Sequence, residues 1–389
     1  MIMTRMGFIL GALLLAAQLP AAEVPRPKPL KEPPDDSAIR QAIQRGVDFM
    51  VARQNKDGSW GSPRNTKGLN IYAPTSESHR AFRLAVTALT VSALIEAGGK
   101  NPKTQAALAR GEAYLLKHLP TLRRATADAI YNVWAHCYGI QALVRMRARL
   151  PKKRAVIDAA LRSQYDKLTR YASIDGGWGY YDFRAGTKQP ASSSISFVNA
   201  TALLAFHEAR EAGVPPPERL ALRAIAALKR QRLPDGSYLY GEYLKWRPRS
   251  GINRPGGSLG RSQACNLALR LWGDKVITDQ VMIDWLDRLF ARNEWLGMGR
   301  KRPVPHESWF AVAGYFYYYG HFYAAFCIEQ LPPKERQRLR GHLAHTMLPL
   351  QERDGSWWDF PFYDYHQQYG TAMAVMTLHR CRPETEERR

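Results

Sequence analysis

The residues able to do chemistry gather just ahead of, or inside, a set of unusually apolar segments. His306 and Glu307 precede one segment, and His321 lies within it after Tyr317-Tyr318-Tyr319-Gly320. Asp359, Asp364 and His366 precede another, among Trp357, Trp358, Phe360, Phe362, Tyr363 and Tyr365. Asp182 follows Tyr180 and Tyr181, Glu242 lies between Tyr240 and Tyr243, and His136 shares a stretch with Asn132, Trp134 and Tyr138. Carboxylates among aromatic rings suit sugar binding and acid–base chemistry. Two carboxyl groups about 5–10 Å apart over a deep cavity would support glycan cleavage. The same side chains suit a divalent metal, but none shows a ligand spacing such as H-x-x-x-H, so neither metal nor cofactor is expected.

The catalytic candidates are therefore Asp182, His306, Glu307, Asp364 and His366, with His136 and His321 inside helices. Each has a plainer reading, as a solvated loop charge or a histidine satisfied in the core. The aromatic side chains expected to meet a ligand are Trp134, Tyr181, Tyr243, Trp309, Tyr318, Trp358 and Tyr365. Whether the chain is catalytic at all stays open at this point.

The elements that must position these residues are helices. Apolar residues recur at helical spacing through Ile39-Ile43-Val47-Met50 and Leu84-Leu89-Val91-Leu94. Two kinds of helix alternate. One kind is charged on one face, at about 37–54, 103–119, 153–170, 216–232, 275–292 and 333–350. The other is apolar all round, at about 83–97, 131–147, 194–211, 258–272, 308–328 and 367–380. A helix apolar on every side must be buried on every side. Six outer and six inner helices predict an all-α fold, a single (α/α)6 toroid whose inner helices line a central barrel. Every inner helix then runs the same way, so the loops leading into them share one end. That end is the expected mouth.

Asp-Gly turns mark several of those loops. Gln54 through Asp57-Gly58-Ser59-Trp60 is the fullest copy, with others at Asp175-Gly176-Gly177-Trp178, Asp235-Gly236-Ser237-Tyr238 and Gln351 through Asp354-Gly355-Ser356-Trp357. Glycine permits a positive φ there and the Asp side chain caps the turn. Arg45-Gly46-x-x-Phe49 followed by Gln54, Gly58 and Trp60 is similar to the QW repeat of squalene and hopene cyclases. Arg110-Gly111-x-x-Tyr114 matches its first half, and Gln351 with Gly355 and Trp357 its second. The chain thus resembles the terpenoid cyclase and protein prenyltransferase toroids, the prenyltransferase and squalene oxidase repeat proteins, over residues about 37–381.

The resemblance implies the toroid and gives Gln54, Gly58, Trp60, Trp178, Gln351, Gly355 and Trp357 a structural role. Its catalytic motifs do not carry over. There is no D-x-D-D, no D-D-x-x-D, and no Asp two residues before any Cys, as the prenyltransferase zinc site needs. The expectation is a ligand-binding or scaffold protein. The alternative is a toroid enzyme, either a polysaccharide lyase or glycosidase on an acidic glycan, some lyases having a turn like Gly176-Gly177-Trp178, or an isoprenoid cyclase-like enzyme.

Composition narrows the partners. The chain has 389 residues and a net charge of +22, which favours an anionic polymer as partner, beside an apolar small molecule for the barrel. No nucleic-acid motif occurs. Arg5, the apolar run Phe8–Ala17 and Ala21-Ala22 read as an export signal over residues 1–22, with no other spanning segment expected. A Pro-rich linker covers 23–36 and a charged tail 382–389. The basic clusters Arg145–Arg154, Lys245–Arg261 and Arg300–Arg302 are scattered along the chain. Cys137, Cys265, Cys327 and Cys381 sit in apolar helices as buried thiols, although Cys327 and Cys381 fall where they could bond.

Overall fold

The computed structural model describes residues 24–68, 71–182, 190 and 194–383. The export segment expected at 1–22 and tail residues 384–389 lie outside the described residues. In chain order the helices are α1 (Asp36–Ala52), α2 (Ser76–Ala97), α3 (Pro102–His118), α4 (Asn132–Arg149), α5 (Arg154–Tyr171), α6 (Ser196–Glu211) and α7 (Glu218–Gln231). They continue as α8 (Pro255–Leu271), α9 (Asp279–Ala291), α10 (Asn293–Gly297), α11 (Phe316–Glu329), α12 (Pro333–Met347) and α13 (His366–Cys381). Extended structure among the described residues is confined to isolated bridges.

Burial sorts the helices as their composition demands. In α7 only Leu220, Ala221, Ala224, Ala227, Leu228 and Gln231 are buried, a single stripe. In α6 every residue from Ser196 to Phe206 is buried. The inner helices α2, α4, α6, α8, α11 and α13 each touch the next, and α13 returns to α2, closing the barrel. The outer helices α3, α5, α7, α9 and α12 each pack on the inner helix before them, and α1 packs on α13. The first helix thus clothes the last. Arg382 reinforces that closure through Asp36 at 3.1 Å. The chain is an all-α (α/α)6 toroid.

The Asp-Gly turns join three helices at a time. In the first copy the Trp60 indole donates to the Met50 carbonyl of its own outer helix at 2.7 Å, and its backbone N–H donates to Thr87 of the next inner helix at 3.1 Å. Gln54 donates to the Gly58 carbonyl at 2.9 Å and to Ala107 of the next outer helix at 2.8 Å. Gln351 and Trp357 repeat the pattern on Gly355, Met347, Thr371 and Ala42. Trp178 does so on Leu168 and Asn199. A Cβ on Gly58, Gly176 or Gly355 would come within 2.5–2.6 Å of the carbonyl of Arg110, Arg223 or Arg45, each in the following outer helix around the ring. These glycines also have φ near +90°, which side chains rarely adopt.

The Arg-Gly half of the motif serves the preceding turn, not its own. Arg110 bonds Gln54, and Arg45 bonds Gln351. A Cβ on Gly111 would meet the Trp60 ring at 2.7 Å, and one on Gly46 the Trp357 ring at 3.0 Å. So the half-motif at Arg110-Gly111 is complete in space although it is broken in sequence.

One expectation is corrected. The fifth inner helix begins at Phe316, not near 308. Pro303 and Pro305 interrupt the chain, and His306, Ser308 and Ala311 have positive φ, which a right-handed helix forbids. Trp309 therefore stands in a loop. Cys327 and Cys381 are buried, as expected, and the open possibility of a bond between them is not realised. The Cys327 sulfur faces α8, donating to the Gln263 carbonyl at 3.4 Å, and so points away from α13.

Candidate functional site

The two ends of the barrel are built differently. At one end the starts of the inner helices meet through aromatic rings. Phe82 of α2 lies 4.6 Å from Tyr131 before α4 and 4.6 Å from Phe362 before α13. Phe197 of α6 lies 4.7 Å from Phe316 of α11. At the other end the helix termini meet through charges. Arg145 of α4 spans Glu96 of α2 and Glu208 of α6, each at 2.6 Å, and Arg380 of α13 pairs with Glu96 and with Glu329 of α11.

The aromatic end opens into a cavity of about 390 Å³. Helical spacing sets its walls: Phe82, Ala85, Val86 and Leu89 form one stripe, Trp134 and Tyr138 a second, Tyr315 and Tyr319 a third. Tyr131, Tyr180, Tyr181, Phe197, Phe362 and Tyr369 complete the ring, and Pro303 and Pro305 stand on the rim. The hydroxyls are used inside the wall. Tyr131 bonds Tyr181 and the Tyr72 carbonyl, and Tyr180 bonds Tyr240. Tyr319 donates to the Phe197 carbonyl at 3.0 Å, and Tyr369 to the Tyr315 carbonyl at 3.0 Å. Tyr315 contacts Tyr240 at 3.4 Å and His306 Nε2 at 2.9 Å.

One acidic residue lines this cavity among the described residues, Asp359, 1% exposed. Residues 69–70, 183–189 and 191–193 contain no Asp or Glu. Asp359 Oδ2 accepts the Tyr318 backbone N–H at 2.9 Å. Burial pushes its carboxyl up to about 7, with that hydrogen bond and the nearby Arg300 charge opposing only in part. Near neutral pH the group is poised between donor and acceptor.

The other proposed acids lie elsewhere. Asp182 is buried against Arg124 at 3.4 Å, and Glu242 is held by Arg230 at 2.6 Å. Glu307 pairs with Arg302, and Asp364 accepts from Ser62 at 2.8 Å. The histidines face away too. His136 contacts Gln164 of α5 at 2.7 Å, behind the inner ring. His321 contacts the Tyr317 carbonyl at 2.7 Å, and His366 contacts the Tyr363 carbonyl at 2.5 Å beside the Trp358 ring. Burial holds His136 down at about 3 and His306 and His321 at about 4, so all three stay neutral.

Of the proposed aromatics, Trp134 and Tyr181 line the cavity. Tyr243 and Trp309 are exposed on mouth-side loops, and Tyr318 and Tyr365 are buried outside the cavity lining. Trp358 lies between the Lys67 and Lys301 ammonium groups, 4.9 and 4.6 Å from its ring. Sequence reasoning missed Tyr131, Tyr138, Tyr180, Tyr319 and Tyr369 as wall residues. The four-residue step from Trp134 to Tyr138 and from Tyr315 to Tyr319 was a usable signal. Asp359 was grouped with the mouth acids but not singled out, although its neighbours Trp357, Trp358 and Phe360 leave it no polar company. Among the described residues no three His, Cys, Asp or Glu side chains gather as a metal site, and no helix is long and apolar enough to cross a membrane.

No family model matches the chain, and no curated protein does. Solved structures do resemble it. The type II terpene cyclase MstE from Scytonema is 15% identical, with a TM-score of 0.50 over 89% of this chain and 98% of that one. The GH76A alpha-1,6-mannanase from Salegentibacter sp. HEL1_6 is 11% identical, with a TM-score of 0.54 over 88% and 98%. An alpha-amylase from Clostridium perfringens is 10% identical, with a TM-score of 0.53 over 88% and 97%. At these identities the likeness is one of fold.

Proposed function

We propose that this toroid binds an apolar, unsaturated or aromatic small molecule in the barrel mouth and orients one polar group of it on Asp359. The observation that carries this reading is the cavity itself: about 390 Å³, walled by aromatic rings most of whose hydroxyls are already bonded to one another or to backbone carbonyls, with a single acidic residue among the described residues. Such a space suits an apolar body with one polar handle. Glycan cleavage by paired carboxylates lacks support, because the second acid is missing from the described wall. Asp359 at about 7 is also a weak acid, which suits orienting a ligand or shuttling a proton between heteroatoms far better than protonating an alkene. The toroid likeness to a terpene cyclase and to glycan-cleaving enzymes leaves catalysis on such a ligand as the alternative reading.

The test is ligand-induced thermal stabilisation. Farnesol, a fifteen-carbon isoprenoid alcohol, should raise Tm by several degrees, and Asp359→Asn should reduce that shift. Oligogalacturonate should give little. Stabilisation by oligogalacturonate and none by farnesol would overturn the reading. We also read residues 1–22 as an export signal, which N-terminal sequencing of the protein from its native host would check: an intact Met1 would refute it.

A further inference from the structure

Beside the cavity runs a second depression, a groove of about 450 Å³ lined by Arg249, Ser250, Arg254, His306, Ser308 and Trp309. It shares the 303–315 loop with the cavity. Pro303 and Pro305 face the cavity, while His306, Ser308, Trp309 and Ala311 face the groove. Four of the five non-glycine residues with positive φ among those described, Lys301, His306, Ser308 and Ala311, lie in or next to this loop. Such conformations cost energy and persist where the surroundings hold them, commonly at sites that bind something. Here His306 holds the loop, bonding the Ala311 carbonyl at 3.0 Å through Nδ1 and the Tyr315 hydroxyl through Nε2.

Among the described residues the lining of the groove carries two guanidinium groups and no carboxylate. Arg249 and Arg254 are exposed, and among the described residues neither forms an ion pair. Beneath the 251–254 turn lies Arg261, a guanidinium with 0% exposure. It donates to the carbonyls of Gly257 at 2.8 Å, Tyr238 at 2.8 Å and Ile252 at 2.5 Å, and its Nε has no hydrogen-bond partner among the described residues. No carboxylate pairs with it there. A buried charge without a counter-charge is expensive. Ile252, to whose carbonyl it is tied, is itself a wall of the groove. An anion seated in the groove would supply the missing counter-charge.

We propose that the groove is an oxyanion site, and that the ligand of the mouth is an amphiphile whose apolar body fills the aromatic cavity while its phosphate, sulfate or carboxylate group lies against Arg249 and Arg254 over Arg261. The proposal rests on the apolar-ligand reading above and adds the charge of the ligand to it. It also reconciles the net charge of +22 with an uncharged cavity, since the excess cation is needed beside the pocket and not in it. Guanidinium groups suit such anions because their planar fork donates two parallel hydrogen bonds.

The experiment compares dodecanol with dodecyl phosphate, below their aggregation limits and at low salt, on the full chain by calorimetry. Dodecyl phosphate should bind at least tenfold more tightly than dodecanol. The double variant Arg249→Gln/Arg254→Gln should abolish that preference while dodecanol affinity stays within about twofold. Lys152→Gln/Lys153→Gln, on an exposed basic cluster at the start of α5, is the control and should leave the preference intact. Equal binding of both ligands overturns this inference alone. An equal loss of preference in the control overturns it too, because the attraction would then be diffuse. Binding of oligogalacturonate that depends on Arg249 and Arg254, with no preference for dodecyl phosphate, would assign the groove to an anionic polymer instead. If neither twelve-carbon ligand binds the native protein, the apolar-ligand reading falls, and this one with it.

Discussion

The two ends of the barrel solve one problem in opposite ways. Both bury polar groups where parallel inner helices converge. The base neutralises charge with charge: Glu96 is nearly buried, and burial alone would push its carboxyl up, yet Arg380 and Arg145 hold it down at about 2. The mouth satisfies hydroxyls with hydroxyls and backbone carbonyls and leaves one acidic residue without an ion pair among the described residues, so burial wins and Asp359 rises to about 7. The same residue class at the two ends is displaced in opposite directions. The lesson is that the base is a lock and the mouth a receptor. A fully paired ring has nothing left to offer a ligand, whereas an isolated protonatable group in an aromatic wall has.

The largest loss of stability should come from opening the lock. Arg145→Met strands Glu96 and Glu208 in a site built for a guanidinium. Removing one partner of a buried pair costs about 3–5 kcal/mol, and Arg380 remaining on Glu96 places this case near the lower figure. Urea denaturation at pH 7 measures it, with farnesol binding retained at temperatures where the variant is folded. A loss under about 1 kcal/mol would mean the base is not the stabilising end.

Asp359→Asn should act with the opposite sign. The folded carboxyl titrates near 7 and the unfolded one near 3.8, so the folded state holds its proton longer. Stability from this group is therefore greatest below about pH 4 and falls as pH rises to about 7. Asn accepts the Tyr318 N–H without a charge. The variant should be more stable than the parent by up to about 4 kcal/mol at pH 8 and nearly indistinguishable at pH 4. Glu96 runs the other way. Its stabilisation is full above its ordinary 4.5 and is lost as pH falls toward 2. Parallel pH profiles of the parent and the Asp359 variant would remove the contrast between the ends.

A smaller change fills the receptor. Leu89 lines the cavity from α2, so Leu89→Trp should cost roughly tenfold or more in farnesol affinity, against a stability change of about 1–3 kcal/mol for overpacking. Unchanged affinity would move the ligand out of the barrel.

How much of this was legible in the chain depends on the range of the interaction. The alternation of one-faced and all-apolar helices is local, so the toroid and nearly every helix could be read. The Asp-Gly-Ser-Trp turn is also local, and its capping bonds, donated by the Ser59 N–H to Asp57 and by the Ser356 N–H to Asp354, lie within two residues. The reach of Arg110 to Gln54 crosses 56 positions, and no window of sequence shows which half-motif pairs with which. The mouth acids failed to be told apart for the same reason. Asp182, Glu242 and Asp359 look alike beside their aromatic neighbours, and what separates them is a distant cation: Arg124 for the first, Arg230 for the second and, among the described residues, no ion pair for the third. The start of α11 was misplaced because a run of apolar residues continues the helical pattern backwards through 309–315, while the loop obeys Pro303, Pro305 and the left-handed residues.

The gentlest probe of the contrast is Tyr315→Phe. The ring stays in the cavity wall and only the hydroxyl leaves. That hydroxyl stands between His306 Nε2 at 2.9 Å and Tyr240 at 3.4 Å, and burial keeps His306 neutral, so no charge is exposed by the change. The loss is one neutral hydrogen bond with an acceptor left unsatisfied, about 1 kcal/mol, well below the cost at Arg145. Apolar affinity should move less than twofold, because the hydroxyl faces the wall and the ring faces the ligand. The preference for dodecyl phosphate over dodecanol is the finer readout. Without its bond to Tyr315 the His306 ring holds the 303–315 loop only through Ala311, so the groove loosens while the cavity does not, and the preference should drop severalfold. A Tyr315→Phe protein that loses dodecanol affinity and keeps the preference would put the hydroxyl in the receptor and not in its frame.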